Sequence, residues 1–215
     1  MKKVLILLLA ICVIACKKAP NKPVENKTDS ADLQTVADSI SVPEQQQRTD
    51  KEANLTQINK EILTVLKNKD YKKLARFIHP EKGIRFSMYA FVNAREDKHF
   101  SKAEFEKYQP AKTIFTWGAL DGSGDLYKAT IDQYLERWVY SKDFITGRLT
   151  LNGFQGKGNS LNNLKEAYPG ADFTENYIKG SEANAEMDWK ALRLVFEQFQ
   201  GKYYLAGVIN DQWTI

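Results

Sequence analysis

The spacing of apolar positions predicts that a folded domain begins near Ala53 with two helices. Helical spacing relates five apolar residues, Leu55, Ile58, Ile62, Val65 and Leu66. Asp70 is expected to cap a second, shorter helix. This helix should end at His79, because a residue that precedes proline is pushed away from helical conformation. Beyond a turn at Gly83, residues 84–92 predict a strand.

Two capping boxes predict helices in the middle of the domain. In each box, a Ser or Thr and a Glu or Gln three residues later bind each other's backbone amides. Ser101 and Glu104 start one helix. Thr130 and Gln133 start another over residues 131–140. Further apolar runs predict strands over residues 111–118, 143–151 and 171–179, and a short helix over residues 159–168.

The C-terminal residues give the clearest signal, which is that of a β-hairpin. Two strand-like runs, residues 187–199 and 202–215, flank the pair Gln200-Gly201. In the first run, Leu192, Leu194 and Phe196 alternate with Arg193, Val195 and Glu197. Two apolar runs separated by two residues that include glycine are typical of a hairpin. Gln is less suited than Asn to the first turn position, so the register stays open by one residue.

The order of these elements, with leading helices and a closing hairpin, is typical of the α+β class. It resembles the ketosteroid-isomerase-like cone, also called the nuclear-transport-factor-like or cystatin-like fold. The resemblance implies N-terminal helices packed on a curved antiparallel sheet. In such a fold the C-terminal hairpin would close the sheet into a cone-like shape with a pocket.

The first 15 residues are predicted to be a signal peptide. Lys2 and Lys3 precede 12 consecutive apolar residues, Val4 to Ala15. A helix that spans a bilayer needs about 20 apolar residues. A short positive segment followed by an apolar run of this length is typical of secretion. We therefore expect the chain to be exported and residues 1–15 to be removed.

The apolar run ends in Val13-Ile14-Ala15-Cys16, which resembles a bacterial lipobox. The resemblance implies cleavage before Cys16 and attachment of acyl chains such as palmitate to this residue. Two acyl chains suffice for stable membrane anchoring. Lys17 and Lys18 follow the cysteine, which resembles the sorting pattern for the outer membrane of a cell envelope, facing the periplasm. The alternative is an ordinary secreted protein that is cut nearby.

Composition divides the remaining chain into a linker and one domain. Residues 16–52 are predicted to be the lipidated cysteine and a flexible linker, because they are rich in proline, glutamine and charge and contain no aromatic residue. Residues 53–215 are predicted to be a single α+β domain. Both cysteines, Cys12 and Cys16, precede this domain, so we expect neither a disulfide nor a thiolate metal site in it.

Several segments of the domain resemble a group of uncharacterised exported bacterial domains that have the same segments in the same order. The segments are "HPEKGIRFSMYAFV", "WGALDGSGDL", "GNS" and "MDWKALRLVFEQFQGKYYLAGVINDQWTI". In that group a histidine is common at the position of Asn210 and a proline at that of Met88. The resemblance implies export but supplies no activity.

His79 and Arg85 are the first candidates for a functional site. Histidine has a suitable pKa for a general base, but the other histidine, His99, lies in a polar segment that is predicted to be exposed. No spacing typical of a histidine metal site is present in the sequence. We therefore expect His79 to cap carbonyl groups at the helix end, and Arg85 to form a salt bridge with Glu81 or to enter a pocket.

Two further segments resemble ligand-binding loops only in part. Asp121, Ser123, Asp125 and Asp132 occupy positions 1, 3, 5 and 12 of a calcium loop. The match fails twice, because Leu126 stands where glycine is needed and Asp132 replaces the bidentate glutamate. Asp-Gly and Ser-Gly pairs also form turns without a metal. The glycine-rich segment 153–160 lacks the phosphate-loop spacing. We therefore assign no metal and no cofactor.

A candidate pocket is predicted from residues that could line the open end of a cone. Ligand sites are mostly apolar with a few polar groups. The candidate residues are His79, Arg85, Trp117, Asp188, Trp189, Tyr204, Asp211 and Trp213. Aromatic residues at strand spacing also commonly form a core, which is the alternative interpretation of the tryptophans.

Two functional hypotheses follow. The first is a membrane-anchored envelope lipoprotein that binds a small ligand or an envelope protein without catalysis. The second is a cone-fold hydrolase or isomerase that uses His79 or Asp188 in a partly buried pocket. No set of catalytic residues is recognisable, which favours the first hypothesis. The cations are scattered, and nucleic-acid binding usually requires a concentrated basic surface, so no nucleic-acid partner is predicted.

Overall fold

The helices of the computed structural model, which describes residues 42–215 with side chains from residue 45 onward, lie mainly in the first half of the domain. The predicted signal peptide, Cys16 and residues 16–41 of the predicted linker lie outside the described residues. Within the described part, the helices are α1 (Val42–Lys67), α2 (Tyr71–Leu74), α3 (Lys102–Tyr108), α4 (Ile131–Tyr134) and α5 (Leu164–Ala167). A π-helical turn, Leu135–Val139, continues α4 directly.

Eight strands in the described residues form one six-stranded sheet and one separate hairpin. They are β1 (Ile84–Ser87), β2 (Lys98–Phe100), β3 (Phe115–Ala119), β4 (Leu126–Ala129), β5 (Arg148–Leu151), β6 (Asp172–Ile178), β7 (Lys190–Phe199) and β8 (Lys202–Gln212). The order in the large sheet is β2-β1-β8-β7-β6-β5, and β3 pairs with β4. The pairing is antiparallel except between β1 and β8, which run parallel, with Phe86 beside Val208.

Both faces of the large sheet are covered. On one face, α1 contributes Leu55, Ile62 and Leu66 to a large core that also contains Leu194 and Val208 of the sheet. On the other face, the segment between β5 and β6 supplies Phe154, Leu164 and Tyr168, which pack over Phe173, Val195 and Ile209. Both clusters lie within residues 55–209, so the described part of the chain has its own hydrophobic core.

A polar contact fixes α1 on its face of the sheet. The side-chain amides of Asn59 and Asn176 exchange hydrogen bonds of 2.9 Å, and the hydroxyl of Thr174 donates to Asn59 Oδ1 at 2.7 Å. All three residues are buried. Buried polar groups of this kind are stable only when they are paired, so the contact specifies one position of the helix.

The structure confirms the α+β class and most predicted elements. Both capping boxes form, with Ser101 and Thr130 as the N-caps, and Asp70 caps α2. The hairpin of β7 and β8 turns at Gln200-Gly201 as predicted. The prediction that this hairpin closes the sheet is wrong, because the sheet stays open and the hairpin lies in its middle. The cone-like shape stays a prediction.

The first helix starts earlier than the predicted domain boundary at residue 53. α1 begins at Val42, and its first turns carry the internal hydrogen bond from Gln46 to Asp50 at 2.9 Å. Lys51 also forms an ion pair with Asp172 of β6 at 2.7 Å. Residues 42–52 lack an apolar stripe, so the pattern of hydrophobic positions could not reveal this helix. No helix among the described residues is both long and apolar enough to cross a membrane.

Candidate functional site

His79 lies in the corner between α2 and β1, where it holds a turn together. It is 2% exposed, and its Nδ1 accepts hydrogen bonds from the backbone amides of Glu81 at 3.2 Å and Lys82 at 3.0 Å. The ring also contacts Phe199 and Tyr204 edge-on. Burial lowers the pKa of His79. The residue therefore binds turn amides with a neutral ring, and does not cap helix carbonyls as predicted.

Arg85 stabilises the loop between β1 and β2. Its Nη1 donates to the carbonyl oxygens of Ala94 at 3.0 Å and Asp97 at 3.3 Å. The carboxylate of Asp97 accepts a hydrogen bond of 2.5 Å from the Ser87 hydroxyl. The salt bridge expected between Arg85 and Glu81 is not formed. These contacts give Arg85 a structural role in the loop.

Asp188 anchors the loop before β7. It accepts a hydrogen bond of 2.6 Å from the backbone amide of Ser181 and forms an ion pair of 3.3 Å with Lys142. The hydrogen bond from Ser181 lowers the pKa of Asp188. A carboxylate held in its ionised form by such donors is a weak proton acceptor. This arrangement gives no support to Asp188 as a general base.

The tryptophans predicted to share a pocket lie in three different environments. Trp117 belongs to the large core and stacks on Tyr134, with 3.7 Å between ring centroids. Trp189 packs against Gly156, on the opposite face of the sheet. Trp213 is 38% exposed and lines a surface cleft. The structure therefore does not bring the predicted pocket residues together at one site.

Asp211 belongs instead to a buried ionic cluster, which comprises Glu175, Arg193 and Asp211 on three adjacent strands. The guanidinium of Arg193 donates to Glu175 Oε2 at 2.7 Å through Nε and to Asp211 Oδ2 at 2.5 Å through Nη2. Arg193 and Glu175 are fully buried, and Asp211 is 3% exposed. Burial raises the pKa of Asp211, and the charge of Arg193 opposes this effect.

The loop that follows β5 closes over the buried ionic cluster. The backbone amides of Gln155 and Gly156 donate to Glu175 Oε1, the second at 3.0 Å. The ring of Phe154 lies 4.8 Å from the guanidinium of Arg193. A Cβ atom at Gly156 would lie 2.8 Å from the ring of Trp189, so glycine permits this close approach. The cluster therefore fixes the loop on the sheet.

A separate surface cleft, here called the cationic cleft, lies at the end of β7 and β8 that carries Lys190 and Gln212. Its volume is about 530 Å³. Three aromatic side chains contribute to its walls, and its charged groups are two cations and one acid. The lining residues that matter chemically are Tyr89, Asp121, Arg137, Trp138, Lys190 and Trp213.

The cations of the cationic cleft have no acidic partner among the described residues. Lys190 Nζ donates to Gln212 Oε1 at 2.7 Å. The guanidinium of Arg137 lies over the ring of Tyr127, 5.2 Å from its centroid. Burial lowers the pKa of Lys190, and the nearby charges of Lys142 and Arg137 lower it further. The acid that lines the same cleft, Asp121, is bonded to the backbone amide of Ile215.

The segment that partly matches a calcium loop forms turns. Asp121 Oδ2 accepts a hydrogen bond of 2.7 Å from the backbone amide of Ile215, and the backbone amide of Asp125 donates to the Ser123 hydroxyl at 3.2 Å. Asp132 lies in α4 and accepts from Gln109 at 2.9 Å. Within residues 42–215, no three histidine, cysteine or acidic side chains are grouped so that they could hold a metal ion.

Comparison of the chain with protein-family models, with curated proteins and with solved structures gave no match. The geometry of the described residues is therefore the basis for a functional proposal. Sequence reasoning found Trp213 but missed Tyr89, Arg137 and Lys190 of the cationic cleft. These residues come from separate segments, so no local spacing in the sequence joins them.

Proposed function

We propose that the chain is a lipid-anchored lipoprotein of a bacterial cell envelope, and that its domain binds a small anionic ligand without catalysis. The lipobox-like sequence at Cys16 motivates the anchor. The cationic cleft motivates the ligand. The cone-like fold, the outer-membrane location and the kinship with exported bacterial domains belong to the same proposal.

The observation that carries the ligand proposal is the position of Lys190. This residue is half-buried at the wall of the cationic cleft, with a glutamine as its hydrogen-bond partner. Charged groups in partly buried positions are usually compensated by an opposite charge. A bound anion between Lys190 and Arg137 would supply that charge, and the guanidinium offers five N–H donors.

The aromatic walls add a second requirement on the ligand. Tyr89 and Trp138 contact each other edge-on, with 5.4 Å between ring centroids, and Trp213 is partly exposed on the same cleft. Ligand sites commonly combine apolar and aromatic walls with few polar groups and have volumes of about 300–1,000 Å³. The ligand should therefore carry an apolar part beside its negative charge.

The positions of the predicted catalytic residues favour binding over catalysis. His79 uses Nδ1 for turn amides, Asp188 is held by Ser181 and Lys142, and Asp211 is enclosed with Arg193. A general base must lie within hydrogen-bond reach of the proton that it removes. Each of these side chains is held by contacts within the fold, and the three lie at different places.

A pair of fluorescent probes tests the cationic cleft. The protein is the polypeptide from Lys17 onward, which contains every described residue and no lipid. We expect it to bind the anion 8-anilinonaphthalene-1-sulfonate more tightly than the neutral N-phenyl-1-naphthylamine, which has the same rings. Lys190→Met should weaken binding of the anion about 10-fold and leave the neutral probe almost unchanged, which corresponds to one charge-assisted contact.

The matched control is Lys202→Met, because Lys202 lies at the opposite end of the sheet on β8 and is exposed. It should bind both probes as the parent does. Equal affinity of the parent for the two probes, or an equal loss in the two variants, would exclude the cationic cleft as an anion site. Circular dichroism confirms that each variant is folded.

Fractionation tests the anchor. Labelled palmitate should be incorporated into the parent chain and into Cys12→Ser, and both should sediment with membranes. Cys16→Ser should take up no label and leave the membrane fraction. Incorporation of label that persists in Cys16→Ser would exclude this residue as the lipid acceptor.

A further inference from the structure

We propose that the cationic cleft continues into a neighbouring apolar groove, and that together they bind a single-chain anionic amphiphile with a carboxylate head, such as a fatty acid. The proposal rests on the proposed function, because the head would occupy the cationic cleft. The apolar groove has a volume of about 450 Å³. Its apolar lining comprises Tyr89, Phe91, Leu161 and Ile215.

The two depressions lie side by side. Tyr89 and Asp121 line both of them. The backbone amide of Asp121 donates to the hydroxyl of Tyr89 at 2.8 Å, so the two residues form one shared wall. A ligand of sufficient length can therefore contact both the cationic cleft and the apolar groove.

The apolar groove exposes more hydrophobic surface than scattered surface residues do. Phe91 is 46% exposed, Leu161 77% and Ile215 84%. A contiguous exposed apolar surface in a folded protein commonly marks a binding site. The backbone beneath this surface is fixed, because the Asn163 side chain binds both the amide and the carbonyl group of Val92, at 2.8 and 3.1 Å.

The polar groups of the apolar groove are already bonded to one another. Asn159 donates to the carbonyl oxygen of Thr214 at 3.0 Å, and the hydroxyls of Ser160 and Thr214 lie 3.1 Å apart. Asp121 accepts from the amide of Ile215 at 2.7 Å. An extended peptide gains its affinity largely from main-chain hydrogen bonds. The groove offers few free groups for such bonds, which favours an acyl chain over a peptide.

The positive charge of the combined site is confined to one of its two ends. Arg137 and Lys190 line the cationic cleft, whereas the apolar groove has no cation in its lining. Asp121, the acid that lines both depressions, is exposed and bonded to a backbone amide. This polarity matches a molecule with one negative end and one apolar end, and it disfavours a cationic amphiphile.

Chain length and head charge test this proposal by calorimetry on the polypeptide from Lys17 onward. The probes are butyrate, octanoate and dodecanoate at monomeric concentrations, and dodecyltrimethylammonium. Each buried CH₂ group should tighten binding about four-fold. We expect dodecanoate to bind at least 10-fold more tightly than octanoate, and dodecyltrimethylammonium to bind at least 10-fold more weakly than dodecanoate.

Variants separate the two halves of the site. Leu161→Gln should weaken dodecanoate about 5-fold and leave the naphthalenesulfonate probe unchanged, whereas Lys190→Met should weaken both. The control is Leu126→Gln, because Leu126 is a similarly exposed leucine outside both depressions, and it should change neither. Vesicles of phosphatidylglycerol should compete poorly with dodecanoate, because a bilayer keeps its acyl chains buried.

The outcomes distinguish this proposal from the proposed function. Lys190-dependent binding of the naphthalenesulfonate with no gain from butyrate to dodecanoate overturns the amphiphile site and leaves the anion site. Dodecanoate binding that depends on Leu161 but not on Lys190 overturns the anion site. Binding to vesicles but not to monomeric dodecanoate overturns the proposal in favour of a membrane-contact surface.

Discussion

At the scale of single residues, the most consequential feature is the burial of three ionisable side chains in one sheet. Glu175, Arg193 and Asp211 together carry one more negative than positive charge when all are ionised. Arg193 Nη1 and Asp211 Oδ1 are buried without a hydrogen-bond partner among the described atoms. A buried ion pair contributes little net stability, but removal of one partner is costly. The cluster therefore specifies how the loop over it is placed.

Arg193→Met should lower the free energy of unfolding by about 3–5 kcal/mol, because it leaves two buried carboxylates without a counter-ion. Urea denaturation measures this change. The triple variant Glu175→Gln, Arg193→Met and Asp211→Asn should recover at least half of the loss, since it removes all three charges together. Lys179→Met, which breaks the exposed pair with Glu186, should have no measurable effect. An equal effect of Arg193→Met and Lys179→Met would contradict the structural role of the buried ionic cluster.

His79 should make stability depend on pH in a defined direction. Its pKa in the folded protein is lowered, so below about pH 6.5 the unfolded chain binds a proton that the folded chain excludes. The free energy of unfolding should therefore fall as the pH falls through this value, and should be fully retained above it. Denaturation at about pH 7 and about pH 5 should show a smaller loss in His79→Gln than in the parent.

His99→Gln provides the control for this comparison. His99 is exposed on β2, and its ring contacts the carbonyl oxygen of Lys82 at 2.6 Å. This variant removes the other histidine of the domain, so a smaller loss that is specific to His79→Gln assigns the effect to His79. An equal loss in His79→Gln and in the parent would show that the ring of His79 does not need to be neutral in the turn.

At the scale of elements, local signals in the sequence predicted what local interactions determine. The caps at Ser101 and Thr130 form because each needs only residues three positions away. The turn at Gln200-Gly201 places both residues at positive φ, +50° and +76°, as two-residue hairpin turns require. The sequence did not predict elements that depend on distant partners. β2 and β4 have only three and four residues, and each forms because another strand supplies its hydrogen bonds.

Neither the buried ionic cluster nor the cationic cleft could be predicted, because each also depends on contacts between distant segments. Arg193 alternates with leucines, which is typical of a strand with one solvent-exposed face. The neighbouring positions on its own face are Val195 and Ala191, both buried, and this is the signal that the second face is covered. Lys190 and Arg137 come together only through the order of the strands and the turn after α4.

Gln200→Asn should stabilise the hairpin by about 0.5 kcal/mol, because Asn tolerates positive φ better than Gln does. Thermal unfolding should show a higher midpoint. Gln198→Asn makes the same change at an exposed strand position and should not raise the midpoint, since Asn is unfavourable in strands. A rise in both variants would indicate an effect of composition and not of the turn.

At the scale of the whole molecule, the defining feature is the position of β8. This strand pairs with β1 on one side and β7 on the other, so it joins the N-terminal and C-terminal parts of the domain. The strand carries Leu205 and Val208 of the large core. By contrast, residues 42–52 form a helical extension, in which Lys51 forms an ion pair with Asp172.

Truncation should show this difference. A chain that ends at Gly201 should lack a cooperative unfolding transition, because the loss of β8 divides the sheet. A chain that begins at Ala53 should keep the transition, and the loss of the Lys51–Asp172 ion pair should cost it about 1 kcal/mol of stability. Circular dichroism during urea titration distinguishes the two. Cooperative unfolding of the chain that lacks β8 would contradict the central role of this strand.

The place of β8 also bears on biogenesis. The ribosome makes β8 after both of its neighbours, so in a nascent chain the edges of β1 and β7 that face β8 lack their partner until the hairpin has emerged. A polypeptide in that state is open to aggregation and to proteases, because unpaired strand edges recruit other chains. Premature termination upstream of Lys202 should therefore yield degraded fragments rather than a smaller stable protein.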